Sequence, residues 1–530
     1  MAIPNGVIMI CKGVPISNDY KHALWFANDT AMFTYFESKV VKTYSKYNFI
    51  KERNSIKVEA TLGEALSWNY MYFQHNGVGG NKIYFAFITH VEYINEATVE
   101  LFYEIDVLTT YMWSYTLKQC FVERQHSETD AIGDNVLDEG LDIGDPYIMK
   151  QKNVDMQDLC MLMLSSINPN NGARVYTKNI NNVVSGLWVF AVNPQQIPMF
   201  DALLQELDSD KIDGSSDAIL SMWMYPKKLV QLAENESWDD TTNIAKRVDR
   251  VKEFDVEVDR GEAMIGQQMV VNNKLFTYPY NYIYVSNNAG GAATYKYEQF
   301  ALTPTCRFRL VGALSPEATV KMYPVNYRQA ILNYEEGLSL GGYPTCAWSQ
   351  DAYKLWLANN QNQLNVAGAS AALTIAGGVA AMGASIFTGG LTGVAGAGAI
   401  AGGVGTIANM IAQKRDMQVQ PPHAKGGFSS NVNVAAQFQT FTIQQRCMQP
   451  KYIKIVDDFF TRFGYLCKEI KIPNKHARKS FTYVKTVDCQ IAGNINHEHM
   501  QKIESIFDTG VTFWANPAVV GDYTVDNSCL

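Results

Sequence analysis

The chain has 530 residues, is 47% hydrophobic and only 18% charged, and carries a formal net charge of −8. That length exceeds one ordinary core, and the apolar share argues against intrinsic disorder. The acidic balance gives no general grip on nucleic acid, and nine scattered cysteines without a C-x-x-C pair argue against a disulfide framework or zinc site and fit synthesis in a reducing cytoplasm.

The opening MAIPNGVIMICKGVPIS lacks a basic region followed by a long apolar run, so no secretory signal is expected. Over 82–107, Ile83, Phe85, Phe87, Val91 and Tyr93 alternate, as do Val99, Leu101, Tyr103, Ile105 and Val107 beyond an Ile94-Asn95-Glu96-Ala97 turn. Period two on both arms predicts a hairpin of two long strands. Asp138, Glu139, Asp142 and Asp145 follow in DEGLDIGD. Paired acids suit glycoside cleavage, but acids interleaved with glycine read as a solvated loop.

Phe200, Leu203, Leu204 and Leu207 after Pro198, and then Ile244, Val248 and Val251, have helical spacing and predict two packing helices. Asp208, Asp210 and Asp213 approximate a calcium loop, but the third carboxylate is one position late and position twelve is Ile219 instead of Glu, so the segment reads as a turn. Tyrosine-rich and β-branched stretches at 276–285, 305–311, 452–456 and 481–488 predict further strands. The expected fold is mainly β with minor α. Cys346, in YPTCAW, has no identifiable histidine partner for a nucleophilic role.

After Lys354 the next charged residue is Lys414, where ordinary usage would place about ten. From Val366 to Ala412 the run is long enough for two membrane crossings of about 20 residues each, with Gly389, Gly390 and Gly393 at a natural turn. The candidate membrane-inserting side chains are Val366, Leu373, Ile375, Val379, Met382, Ile386, Phe387, Leu391, Val394, Ile400, Val404, Ile407, Met410 and Ile411. Ala and Gly carry little transfer energy, and each Gly disfavours helix by about 1 kcal/mol relative to Ala. Such a segment stays dissolved while sheltered and enters lipid when the shelter opens. Its alternative is a buried core or an ordinary transmembrane hairpin. Gly396, Gly398 and Ala401 match a loosened dinucleotide fingerprint, but no strand precedes them.

Residues 451–485 hold nine Lys and Arg, read as strand-edge and assembly charges ahead of a nucleic-acid or lipid site. His497-Glu498-His499 lacks the spacing of a zinc motif and reads as a polar helix start, and Met500, Ile503 and Phe507 then predict a helix ending at Gly510. No catalytic residue, cofactor or metal site emerges. The residues alone leave open a virion structural protein, a free-standing pore-forming or adhesion protein, and a cell-wall hydrolase.

Three stretches resemble the tail knob, or distal tail tube, proteins of short-tailed bacteriophages of the phi-twenty-nine type. They are 82–147 with its IDVLTTYMW and FVERQH elements, 459–496, which begins FFTRFGYLCKEIKIP, and IESIFDTGVTFW at 503–514. The motif residues are Asp106, Glu123, Arg124, His126, Gly464, Tyr465, Arg478, Gly510 and Trp514, with Asn496 standing where that pattern has a proline. The resemblance implies a non-enzymatic virion protein with a β-rich tube portion at 1–150, a middle α+β portion at 151–353, an apolar loop insertion at 354–428 and a β-rich portion with a short helix at 429–530. It further implies a homohexamer between an upstream tail or collar protein and tip proteins. Its loops would plug the lumen until host contact releases them into the cell membrane, and double-stranded DNA would then pass.

Overall fold

The computed structural model describes residues 6–47, 54–75, 82–173, 186–196, 218–260, 268–301, 304–315, 319–340 and 439–530, with a few positions between these blocks, among them Tyr343. The helix expected around Phe200, the calcium-like loop, Cys346 and the uncharged run lie outside the described residues. The fold is mainly β. The chain forms two compact units, each built from separated segments: Met1–Asp145 with Ala263–Tyr280 and Met448–Leu530, and Pro146–Glu262 with Asn281–Cys447.

In the first unit, labelled strands are β1 (Gly6–Cys11), β2 (His22–Leu24), β3 (Val40–Tyr47), β4 (Ser55–Glu59), β5 (Tyr70–His75), β6 (Ile83–Asn95), β7 (Thr98–Ile105), β8 (Tyr115–Leu117), β9 (Cys120–Gln125), β10 (Tyr465–Lys471), β11 (Phe481–Val487), β12 (Ile491–Gly493) and β13 (Val511–Trp514). Its helices are α1 (Asp29–Lys39), α2 (Leu62–Ala65), α3 (Val107–Thr110), α4 (Pro450–Phe463) and α5 (His497–Thr509). One sheet runs β3-β1-β5-β6-β7-β4 and a second runs β2-β13-β11-β9-β10, while β8 pairs with β12. The second sheet therefore joins strands from the beginning and the end of the chain.

The expected hairpin forms as β6 and β7, joined by Glu96-Ala97, with Asn95 Oδ1 accepting the Ala97 N–H at 3.0 Å. Period two describes β6 only in part. Phe85 and Phe87 face one apolar core and Ala86 faces another, so its first half is buried on both sides. Past a register shift between Ile88 and His90 the strand emerges, and Tyr93 is 54% exposed. Val107, expected to end the second strand, instead opens α3, because Asp106 caps it by accepting the Thr109 N–H at 3.3 Å.

The strand expected at 452–456 is corrected: those residues lie in α4. Pro450 stands at the first turn, where its missing N–H costs nothing, and Ile453, Val456 and Phe460 line the buried stripe while Ile455 is 62% exposed. The expected last helix is α5, with Ile503, Ile506 and Phe507 buried and Gly510 as its C-cap. Asn496 supplies the N-cap, accepting the Glu498 N–H at 3.1 Å, which a proline could not do.

The second unit holds a four-stranded sheet (Tyr147–Asp155, Thr440–Cys447, Asn281–Ser286, Ala292–Lys296, in that spatial order) and two five-stranded sheets. The strand read at 276–285 begins only at Asn281, after a short 3-10 turn at Asn273–Phe276. The helix expected at Ile244, Val248 and Val251 is corrected to a strand, Lys246–Val251, pairing with Trp188–Val192 and Val230–Leu232. Two side chains favour the extended form there. Asn170 bonds both the N–H and the C=O of Ala245 like a strand partner, and Arg247 stacks on Trp188 at 4.0 Å.

Candidate functional site

The candidate membrane-inserting residues, from Val366 to Ile411 with Gly389, Gly390 and Gly393, lie outside the described residues. What the structure does place is the pair of residues flanking them. Tyr343, buried in the second unit's core, donates its hydroxyl to the Met156 carbonyl at 3.4 Å, and the Met156 N–H donates to Gln439 O at 2.9 Å. The described chain before and after the insertion therefore converges on one residue, Met156.

The family-motif residues all lie in the first unit. Arg124 on β9 and Lys274 both ion-pair with Glu139, whose side chain has no exposed surface, while that of Lys274 is 1% exposed. Glu139 also accepts the Leu466 N–H at 2.9 Å, and Arg124 donates to Gly464 O at 2.8 Å. Three separated chain segments thus meet at one carboxylate. The Glu139 side chain corrects the expectation of a wholly solvated DEGLDIGD loop. Burial holds the Lys274 ammonium below its ordinary pKa, despite the opposing pull of Glu139.

Beside it, Asp457 on the stripe of α4 accepts the N–H groups of Val271 and Asn272 at 3.0 Å each and the Asn272 amide at 2.8 Å. The Tyr465 hydroxyl donates to Asp130 at 2.7 Å, and Arg478 Nη1 lies 3.8 Å from the same carboxylate while its Nε donates to Ser127 O at 2.7 Å. His126 is buried: its Nδ1 accepts the Tyr483 N–H at 2.7 Å, which leaves the ring proton on Nε2, 3.0 Å from Thr461 O. A cleft of about 720 Å³ opens next to Asp457, Asp458, Thr461 and Arg478. Among the described residues, no group of three His, Cys, Asp or Glu is placed to hold a metal ion.

Two glycines make this packing possible. Gly464 sits at φ +64°, and a Cβ there would lie 2.4 Å from the backbone of Gln125 and His126; at Gly510, φ +100°, it would lie 2.2 Å from the Tyr483 hydroxyl. Trp514 is buried on β13, donating to His22 Nδ1 at 3.1 Å. The other two motif residues stand apart. Buried Asp106 accepts the hydroxyls of Tyr70 and Thr109 at 2.7 and 2.6 Å, and Glu123 pairs with Lys485 at 2.7 Å at a partly exposed position.

A family model described as Bacillus phage phi29, Tail knob protein gp9, C-terminal domain, matches residues 239–528, which include Lys274, Gly464, Tyr465, Arg478, Gly510 and Trp514. The chain belongs to the phi29 gp9 tail knob family. A second model, Caudoviral major tail protein N-terminus, matches residues 5–116. The chain is 25% identical to the tail knob protein gp9 of Bacillus phage B103 and 25% identical to that of Bacillus phage phi29, each over 98% of both chains. The solved tail knob protein gp12 of bacteriophage C1 shares the fold, with a TM-score of 0.63 at 14% identity over 99% of this chain and 100% of that one.

A member of this family is a structural component of the phage tail, and the buried network is the kind of arrangement that such a role needs. The network also sets a pH dependence. Burial, reinforced by the Arg478 guanidinium, holds His126 down to about 3, so the folded ring stays neutral where an unfolded one protonates. The folded state binds fewer protons below the ordinary histidine value near 6.5, so the contribution is complete above that pH and is lost as pH falls toward 3, at about 1.4 kcal/mol per pH unit. Urea midpoints measured from pH 7 to 5 should fall accordingly, and the fall should flatten in His126→Gln.

Sequence reading noticed Glu139 only as one of four acids in a solvated loop, and missed Lys274, Asn272 and Asp457. Of the missed residues only Asp457 left a signal: a carboxylate one turn from both Ile453 and Phe460 on an apolar helical stripe.

Proposed function

We propose that this chain is a non-enzymatic distal tail tube subunit whose apolar insertion, 354–428, plugs the tube and enters the host cell membrane to open a path for the genome. The reading rests above all on the uncharged run between Lys354 and Lys414 inside a chain of ordinary polarity. Its family membership and the convergence of Tyr343 and Gln439 on Met156 support it. A homohexamer explains how a segment too apolar for water stays dissolved. Copies bury one another around the axis, and each Å² withheld from water stabilises by roughly 25 cal/mol. Glycine and alanine keep that shelter weak enough to open.

In this reading the subunit contacts an upstream tail or collar protein and tip proteins, and double-stranded DNA passes without a lasting grip because the net charge is −8. The test is vesicle leakage. Purified protein, seen as closed rings by electron microscopy, should leave dye-loaded phosphatidylglycerol vesicles sealed and release the dye once the rings are opened by mild heating. Vesicles that stay sealed against opened rings overturn the reading.

A further inference from the structure

The eight described cysteines are free thiols, and two of them face each other. Cys120 opens β9 and Cys489 lies two residues beyond β11. The antiparallel pairs Phe121–Val487 and Leu117–Ile491, with the Lys118 N–H donating to Gln490 O at 2.9 Å, carry the two stretches past one another. Regular alternation would turn Cys489 outward like Val487, which is 42% exposed. Asp488 breaks that alternation with a left-handed backbone at φ +54°. Cys489 therefore points inward, 5% exposed, into the same apolar cluster as Cys120, 6% exposed. Asp508 on α5 clamps the turn by accepting the Thr486 hydroxyl at 2.7 Å and the Cys489 N–H at 3.0 Å.

We propose that Cys120 and Cys489 form an oxidisable dithiol site that closes to a disulfide by exchange with a small-molecule disulfide. The Cys489 thiolate attacks one sulfur of that disulfide and expels a thiolate, and the Cys120 thiolate then attacks the mixed bond and expels the second. The protein loses two electrons and two protons, and the small disulfide becomes two thiols. Burial pushes the Cys489 thiol up to about 12 and raises that of Cys120, so both stay protonated at neutral pH and closure is slow. A chain made under reducing conditions keeps the open form, whereas a particle released into an oxidising medium has time to acquire the crosslink.

Intact folded protein incubated with oxidised glutathione, alkylated with N-ethylmaleimide and digested without reductant tests this. The expected result is a peptide linking Cys120 to Cys489, two hydrogens lighter than its reduced pair and released by dithiothreitol. A rise of several degrees in the unfolding midpoint should accompany it, since the bond closes a very long loop, and Cys120→Ser should lose that rise. Recovery of both cysteines fully alkylated, or each separately bound to glutathione, overturns the proposal. Should Cys120→Ser fail to fold, the peptide map of the unaltered protein decides alone.

Discussion

Deletion of residues 366–412 is expected to abolish dye release from vesicles and genome delivery while leaving ring assembly and the unfolding midpoint nearly unchanged. The structural half of this expectation comes from Met156, on which Tyr343 and Gln439 converge from either side of the insertion. Because the flanking residues are already held by the core, shortening what lies between them strains nothing. Halving a loop changes its closure free energy by only about 0.6 kcal/mol, in the favourable direction. The functional half comes from composition, since the deletion removes the aliphatic side chains from Leu373 to Ile411 that could enter lipid. A graded version separates loss of apolar matter from loss of length. Val379→Lys or Val404→Lys, each near the middle of one crossing, keeps the segment but adds about 2.5–3.5 kcal/mol to the insertion of a helix centre, and should depress leakage by a factor of a hundred or so. Vesicles still permeabilised by the deleted protein would assign the membrane activity elsewhere in the chain.

How much of this was legible in the sequence depends on the range over which each signal acts. The β6–β7 hairpin was readable because its pairing is local and apolar residues alternate along much of both arms, although the first half of β6 is buried on both sides. Helix α5 was readable because Met500, Ile503 and Phe507 meet a glycine stop at Gly510. Where two periods coexist, propensity misleads. Tyr452-Ile453-Lys454-Ile455-Val456 alternates like a strand, and only the longer stripe through Phe460, with Pro450 at its head, shows the helix that forms. The converse holds at Lys246–Val251, where the neighbouring Asn170 and Trp188 hold an extended backbone across a helical spacing of valines. The joint around Glu139 was beyond reach for another reason. Its partners Lys274 and Leu466 come from distant parts of the chain, and no local rule marks one acid in DEGLDIGD as the buried one. Motif residues such as Arg124 and Gly464 were singled out by resemblance alone, without the acid that holds them together.

Glu139→Ala is expected to destabilise the first unit by about 3–5 kcal/mol, because it strands the Lys274 ammonium and the Arg124 guanidinium away from water and removes the acceptor of the Leu466 N–H. The sign for the intact cluster differs from the sign for its broken form. Burial outweighs Glu139 in lowering the Lys274 pKa, so pairing does not fully offset the desolvation of that cation. Glu139→Leu combined with Lys274→Met should therefore recover the part of the loss that comes from the stranded Lys274 ammonium, with Arg124 and the Leu466 N–H still unpaired, and Glu139→Gln, which keeps an acceptor for Leu466, should also destabilise less than Glu139→Ala. Urea unfolding of the four proteins gives the order, and hydrogen exchange at the amides of β10 locates it, since Leu466 should lose protection first in Glu139→Ala. An alanine variant with unchanged urea midpoint and unchanged β10 protection would mean that the three chain segments are held by their apolar contacts alone. The tight seat of Gly464 against Gln125 and His126 would then be the element that fixes β9 against β10.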